Sequence, residues 1–588
     1  MNGAAGWRRG CVGAALAALS LTGCYSARIG GPGSGPNGAP APGAGNGGAN
    51  GGMLPGAGQG GAGGPGGAQP APLTCAAGGG DAPGRRLVRR LTTSEFEATI
   101  KSVFGIAAGP DWTGLLPPDP AAANGFGNNV DRLTVGQEFA AGMQDTGRRI
   151  ADLVTNATNL PRLLACSSKG DMACASTFLD TYGTRLYRRP LTTTEKNRYL
   201  ALFTKITATS DFKTWVYWTT TALVQSPNAI YRGEMGEAMA DGRFKLTPYE
   251  TASALAYTFT GGPPSAALLQ QAAANQLDSA DQVEAAARAM VFDASQKVRP
   301  EFRTVFLTFA EQWLGLTALE NKIKDAQSFP DFNDAVQTSM AGETQQFVSA
   351  VVFDEHGKPA DLLTAPYTFV DATLARYYGF GAATGAAFTR VDRPAGWGVG
   401  LLAQGGLLAV ESGTLETSPT KRGHLVRTNL LCNVVPPPPP VVKPLPEPTA
   451  ANTTRERYEK LHATDPSCRS CHQMMDPIGF GFEHMDASGR YREKEGTFDI
   501  DDSGTLMLTQ GGQVAFKGAT ELASTLAHMP EASDCMGAFM ASFAFGVDQN
   551  EASCMVASAT SALRAGNLGL VDFYVQLARA DHFRLRTP

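Results

Sequence analysis

The sequence predicts a mainly α protein, a multi-domain helical body with few short strands. Three observations carry that reading. Three segments open on one cap pattern, apolar residues recur behind the caps at helical spacing, and strand-like alternation is scarce before residue 360. The caps are Leu91-Thr92-Thr93-Ser94-Glu95, Leu191-Thr192-Thr193-Thr194-Glu195 and Leu246-Thr247-Pro248-Tyr249-Glu250. In each, a Thr stands three residues before a Glu, so its hydroxyl accepts from a first-turn N–H while the carboxylate reaches back to the Thr amide. Pro248, at the first helical position, strengthens the third. Behind the first cap, Phe96, Ile100, Val103 and Phe104 make one apolar face. The stretches from Val283 to Leu319 and from Asn333 to Val352 show the same spacing. Phe306, Phe309, Trp313 and Leu316 form an aromatic and aliphatic stripe that reads as core.

Ahead of this body lies an address. Arg8 and Arg9 precede an apolar run from Cys11 to Thr22, so residues 1–23 read as a signal peptide, too short to cross a bilayer as a mature helix. Leu21-Thr22-Gly23-Cys24 resembles a bacterial lipobox, which implies that Cys24 becomes a lipidated first residue; ordinary cleavage is the alternative. Residues 24–82 read as a Gly/Pro-rich linker, with 18 Gly and 7 Pro between 31 and 70, unable to bury enough surface to offset chain entropy. Its reach as a flexible coil is on the order of 40 Å. No later stretch holds 18 consecutive apolar residues, so membrane contact is expected through the lipid anchor alone. The expected location is the periplasm or cell surface, as an outer-membrane lipoprotein. A formal net charge of -5 without a Lys/Arg tract argues against a nucleic-acid partner.

The stretch that carries chemistry is Asp465-Pro466-Ser467-Cys468-Arg469-Ser470-Cys471-His472-Gln473-Met474-Met475-Asp476-Pro477. Two thiols three residues apart followed at once by an imidazole is the arrangement that attaches one c-type haem. The sulfurs of Cys468 and Cys471 add to the vinyl groups, and His472 ligates the iron on the proximal side. With 10 Cys and 7 His in the chain, chance would place such a pattern roughly 0.002 times. A zinc site would want a second Cys or His pair, and none stands at ligand spacing. A redox or structural disulfide between Cys468 and Cys471 remains open; it would leave a non-haem surface binding or scaffold protein. The pattern occurs once, so a two-haem relay within the chain is excluded.

A sixth iron ligand is open as well. Met474 and Met475 follow His472 too closely to swing across the ring plane and read as packing residues. Met485, His484 and His424 have more freedom, and a Met485 thioether would favour a high-potential electron carrier with a protein redox partner. Arg490 and Arg492 are candidate partners for the haem propionates, or else solvated surface charges. No Ser/His/Asp array or paired-carboxylate motif marks a hydrolase, and no catalytic residue is assigned. Asp499-Ile500-Asp501-Asp502-Ser503-Gly504 is similar to half a calcium loop, but Met507 and Gln510 stand where ligands are needed, so it reads as a turn before a hairpin. In an oxidising compartment the remaining cysteines suggest disulfides, with Cys166 to Cys174 and Cys535 to Cys554 the pairings nearest in sequence. Cys75 and Cys432 are left over.

Several of these residues sit in longer signatures. Arg90-Leu91-Thr92-Thr93-Ser94-Glu95-Phe96, Leu186-Tyr187-Arg188-Arg189-Pro190-Leu191, Gln225-Ser226-Pro227-Asn228-Ala229-Ile230-Tyr231-Arg232 and Phe309-Ala310-Glu311-Gln312-Trp313-Leu314 run in the order found in the planctomycete-type secreted cytochrome C proteins. Ala375-Arg376-Tyr377-Tyr378-Gly379, Thr417-Ser418-Pro419-Thr420-Lys421-Arg422-Gly423-His424, the proline run 436–440 and Asp476-Pro477-Ile478-Gly479-Phe480-Gly481-Phe482-Glu483 continue the resemblance. Members of that family usually carry Asn and Phe where this chain has His484 and Met485. The resemblance implies an N-terminal helical domain over 83–160, a small helical domain over 161–225 and a central helical domain over 226–382. A cytochrome C-type domain over 383–495 and a C-terminal helical domain over 496–588 would follow. The family itself is one of unknown function.

Overall fold

All three reciprocal caps form. Thr92 Oγ1 accepts from the Glu95 amide at 3.1 Å while Glu95 Oε2 accepts from the Thr92 amide at 2.8 Å, and the helix Thr93–Phe104 follows. The same exchange starts Thr193–Thr207 and Pro248–Thr260. Phe96, Ile100, Val103 and Phe104 are all buried, which is why an isolated amphipathic segment is stable in place. The protein, seen in a computed structural model, is described here over residues 82–588 apart from 108–111, 382–384, 437–444, 446–450 and 463–465. The side chains of 461, 462, 466–468 and 470 are also left out. The signal peptide, Cys24, the linker as far as residue 81 and the proline run beyond Pro436 lie outside the described residues.

Within that range the protein is mainly α, and its short antiparallel strands form pairs and one three-stranded sheet. Two pairings tie distant parts of the chain together. Leu87–Arg90 pairs with Tyr231–Glu234, and the C-terminal Leu585–Arg586 pairs with Phe244–Lys245. One large core gathers Phe259, Phe302, Phe306, Phe309, Trp313, Phe539, Phe543 and Tyr574, together with Ile478, Phe482 and Met485. The aromatic stripe is therefore core, and the segment bearing the cysteine motif is built into it. A second core holds Phe104, Phe178, Tyr182 and Trp215. The helical spacing over Val283 to Leu319 is taken up by two helices, Ala280–Val291 and Pro300–Trp313. The chain turns between them where the Asp293 carboxylate accepts from the Ser295 and Lys297 amides, and Pro300 then opens a new helix because it cannot continue one.

Cys166 and Cys174 are joined, with Cα atoms 5.7 Å apart. The pairing expected between Cys535 and Cys554 is not formed. Cys535 is bonded to Cys432, Cα to Cα 5.2 Å, across a sequence separation of 103, and Cys554 is itself disulfide-bonded. Nearness in sequence misleads here because loop-closure entropy grows only logarithmically. The longer loop costs about 1.5 kcal/mol more than the shorter one, less than good packing returns. Cys535 sits in the first turns of Pro530–Phe545, against the carbonyl of Asn429 at 3.5 Å, beside Cys432 and away from Cys554.

The motif helix, Pro466–Gly479, is approached by backbone on two sides. Against one side lies the helix Pro419–Leu425, and the contact is made at glycines. A Cβ on Gly423 would lie 1.9 Å from the Met475 carbonyl oxygen, and one on Gly479 would lie 2.0 Å from the Pro419 carbonyl oxygen. On the other side the hairpin of Ser503–Met507 and Gln513–Lys517 brings Gly504, where a Cβ would meet the Pro477 carbonyl oxygen at 2.2 Å. No other residue lets backbones approach so closely.

Two measurements follow from this construction. Gly423→Ala forces the two helices apart and is expected to lower the denaturant midpoint by the equivalent of at least ~2 kcal/mol. Gly114→Ala, where a Cβ meets nothing within 4 Å, serves as the control and leaves the midpoint near wild type. Replacing Cys432 and Cys535 by Ala is expected to cost about 4.7 kcal/mol against about 2.5 for Cys166 and Cys174, from loop length alone. Equal losses for the two double variants would contradict that ordering.

Candidate functional site

The cysteine motif is helical. Positions 468, 471 and 472 fall at i, i+3 and i+4, which sets them along one side of Pro466–Gly479. The Cys468 side chain is outside the described set; Cys471 is half-buried, and the His472 side chain is 17% exposed. Met474 and Met475 are buried, in keeping with packing roles.

The His472 ring is held through one nitrogen. Its Nδ1 lies 2.7 Å from Asp476 Oδ2, one helical turn further on. Asp476 is itself fixed, because Thr420 Oγ1 on the crossing helix donates to its Oδ1 at 2.7 Å, and the same hydroxyl oxygen stands 3.3 Å from His472 Nδ1. A carboxylate facing Nδ1 favours a proton on that nitrogen, so in the neutral ring the lone pair lies on Nε2. An imidazole anchored on a carboxylate through one nitrogen has a set direction, as a metal-ligating imidazole needs. Tyr458 lies beside the ring, centroids 6.2 Å apart, and Phe480 meets Tyr458 edge-on at 6.5 Å. Burial pushes the Tyr458 phenol up to about 12, so it stays neutral.

Two guanidiniums from the crossing segment organise the surrounding loops. Arg422 is fully buried and donates through Nη1 to the carbonyls of Phe482 and Met485, each at 2.8 Å, and through Nη2 to Asp486 O and Ser412 Oγ. Arg427 donates to Met474 O at 3.0 Å and to Met507 O. Burial lowers both to about 10, so both remain charged near neutral pH. Arg422 thus fixes the turn that carries His484 and Met485, while Thr420, two residues earlier, fixes the His472 pair.

The other expected ligands are placed unequally. Met485 is buried in the large core. His484 is stacked on Tyr491 at 5.5 Å, its Nδ1 faces Arg492 O at 2.9 Å, and its Nε2 is 3.8 Å from Asp502. His424 is exposed. Arg490 and Arg492 are partly exposed, and each already stands beside a carboxylate of the chain. Arg492 holds Glu483 Oε2 at 2.9 Å, and Arg490 stands 3.5 Å from Asp331 over the Tyr377 ring. Among the described residues, no group of three or more His, Cys, Asp or Glu could hold a bare metal ion. Sequence reasoning missed Asp476, Thr420, Tyr458 and Arg422. Asp476 had a signal, since a carboxylate four residues after His472 shares its face once the segment is helical; Thr420 had none.

With this geometry in hand, the comparisons can be placed on the chain. Four family models match in chain order. They are PSD3, a protein of unknown function (DUF1587), at residues 89–156; PSD5, likewise of unknown function (DUF1595), at 174–234; PSD4 (DUF1592) at 246–380; and PSCyt3 (DUF1588) at 399–495. The last of these spans the crossing helix, the cysteine motif and Met485. No curated protein and no solved structure matches. From the four matched segments and their order, the chain belongs to the planctomycete-type cytochrome C domain family.

Proposed function

We propose that the protein is an exported, lipid-anchored monohaem c-type cytochrome with an electron-transfer or haem-linked redox role. The observation that carries this reading is the His472–Asp476–Thr420 chain of hydrogen bonds, which presents a lone pair on Nε2 from the helix that holds the two cysteines. The residues fit the group. Cys468 and Cys471 would hold the porphyrin edge through thioethers, His472 would bind the iron through Nε2, and Met485 would supply a second protein ligand. When bound, the haem supplies a reversible one-electron change. The chain's own part is to hold the imidazole still, keep its Nδ1 proton on Asp476, and shield that side with Tyr458 and Phe480. Lipidation at Cys24 and the Gly/Pro linker would tether the body at the periplasmic or cell surface within reach of a protein redox partner.

The test is a pyridine haemochrome spectrum of mature protein made with cytochrome c maturation factors. A thioether-type α band, lost in Cys468→Ala/Cys471→Ala, is expected. Colourless protein with those sulfurs joined to each other would leave the non-haem scaffold reading in its place. Two variants refine the site. Asp476→Asn weakens the electron push on His472 and is expected to raise the midpoint potential by roughly 60 mV, a tenfold change in a one-electron equilibrium. Met485→Ala is expected to abolish the low-spin reduced spectrum, and an unchanged spectrum would exclude Met485 as ligand.

A further inference from the structure

Cys554 is disulfide-bonded, and neither of the two bonds described above supplies its partner. It stands half-buried on the helix Gln549–Met555. Four of the ten cysteines are taken by Cys166–Cys174 and Cys432–Cys535, which leaves Cys11, Cys24, Cys75, Cys468 and Cys471 as candidates. In the function proposed above, Cys468 and Cys471 are the haem tethers, Cys24 is the lipidated residue and Cys11 is removed with the signal peptide. Cys75 remains. This elimination rests on that reading; the geometry around Cys554 does not.

The chain enters the body alongside Cys554. The Ala82 amide donates to the Cys554 carbonyl at 3.1 Å. Gly84 packs so closely that a Cβ there would lie 2.8 Å from Met555 Cε and 2.5 Å from His582 Nδ1. Arg85 Nε stands 3.5 Å from Glu551 Oε2, and the Thr587 amide donates to the Gly84 carbonyl at 2.9 Å. Residues 82–85 are therefore held against the helix that carries Cys554. Cys75 itself lies outside the described residues, seven positions before Ala82. Seven residues span at most about 24 Å, and a disulfide needs its two Cα atoms roughly 4.4–6.8 Å apart, so Cys75 reaches Cys554 by doubling back. The residues between are Ala76-Ala77-Gly78-Gly79-Gly80-Asp81. Small side chains and three glycines, which take either sign of φ, let so short a loop close.

We propose that Cys75 is the partner of Cys554, so that the end of the Gly/Pro linker is covalently fixed to the C-terminal helices. The bond forms in the oxidising compartment: the two thiols give up two protons and two electrons to the disulfide of an exported thiol–disulfide oxidoreductase, which leaves as a dithiol. Tension on the lipid anchor then falls on the helix Gln549–Met555, whose Ala552 and Met555 belong to the large core, and not on the short strand pair at Leu87–Arg90. A backbone cut between residues 76 and 81 would leave the body attached.

The experiment is disulfide mapping of the full mature chain, alkylated without reduction and digested with trypsin and a Glu-specific protease, which cuts at Glu551 between Cys535 and Cys554. A peptide pair joining Cys75 to Cys554, separated by reductant, is expected. In Cys75→Ser, Cys554 is expected to label with maleimide in denaturant. A second form carries a site-specific protease sequence inserted after Gly79. After cleavage, its N-terminal fragment is expected to stay with the body on a non-reducing gel and to separate once reductant is added. Cys554 joined to any other cysteine, Cys75 recovered as a thiol, or a 75–554 bond between two copies, seen as a non-reducing dimer, would overturn the proposal. Colourless protein with the 75–554 pair intact would remove the haem reading and leave this bond standing, whereas a 468–554 pair would remove both.

Discussion

The close passage of the Pro419–Leu425 helix over the motif helix is the contact on which the rest of the cytochrome-type segment depends. Gly423 and Gly479 allow backbone to touch backbone there, and Gly504 repeats the device on the hairpin side. A side chain at any of the three would move the helix by more than the tolerance of a hydrogen bond. Thr420 would then lose Asp476, and Asp476 would lose its set orientation toward His472 Nδ1. An imidazole whose direction depends on one carboxylate needs that carboxylate held from a second element, and the glycine crossing supplies the second element.

Buried guanidiniums do a related task elsewhere. Arg422 and Arg427 satisfy loop carbonyls around the motif, and Arg188 does so for Leu186, Asn228, Ala229 and Tyr231 in the N-terminal region. Removing such a charge from water is costly, and several backbone acceptors are needed to offset it. The benefit is positional. A five-donor fork fixes several strands of irregular chain at once, where a lysine would fix fewer.

The Cys432–Cys535 bond belongs to the same logic at larger scale. It staples the segment that carries the crossing helix to the C-terminal helices, whose aromatic residues Phe539 and Phe543 pack against Phe126 and Phe309. Trp313 Nε1 donates to Asn429 O across the same seam at 3.0 Å. The cytochrome-type segment is thereby fixed to the helical body by covalent, aromatic and polar contacts together.

The sequence by itself determined the three helix starts at Thr92, Thr192 and Thr247, the core role of Phe306, Phe309 and Trp313, the Cys-x-x-Cys-His pattern at Cys468, Cys471 and His472, and the family. All of these rest on residues within a few positions of one another, where helical periodicity or a local motif dictates the outcome. The break between Ala280–Val291 and Pro300–Trp313 is also local, made by the Asp293 turn and by Pro300. Only the tertiary structure decided that Thr420, 56 residues from Asp476, completes the His472 support and that Cys535 joins Cys432, across 103 residues, in place of Cys554. Packing of glycines and aromatics, which no spacing rule reports, sets which of many possible neighbours actually meet.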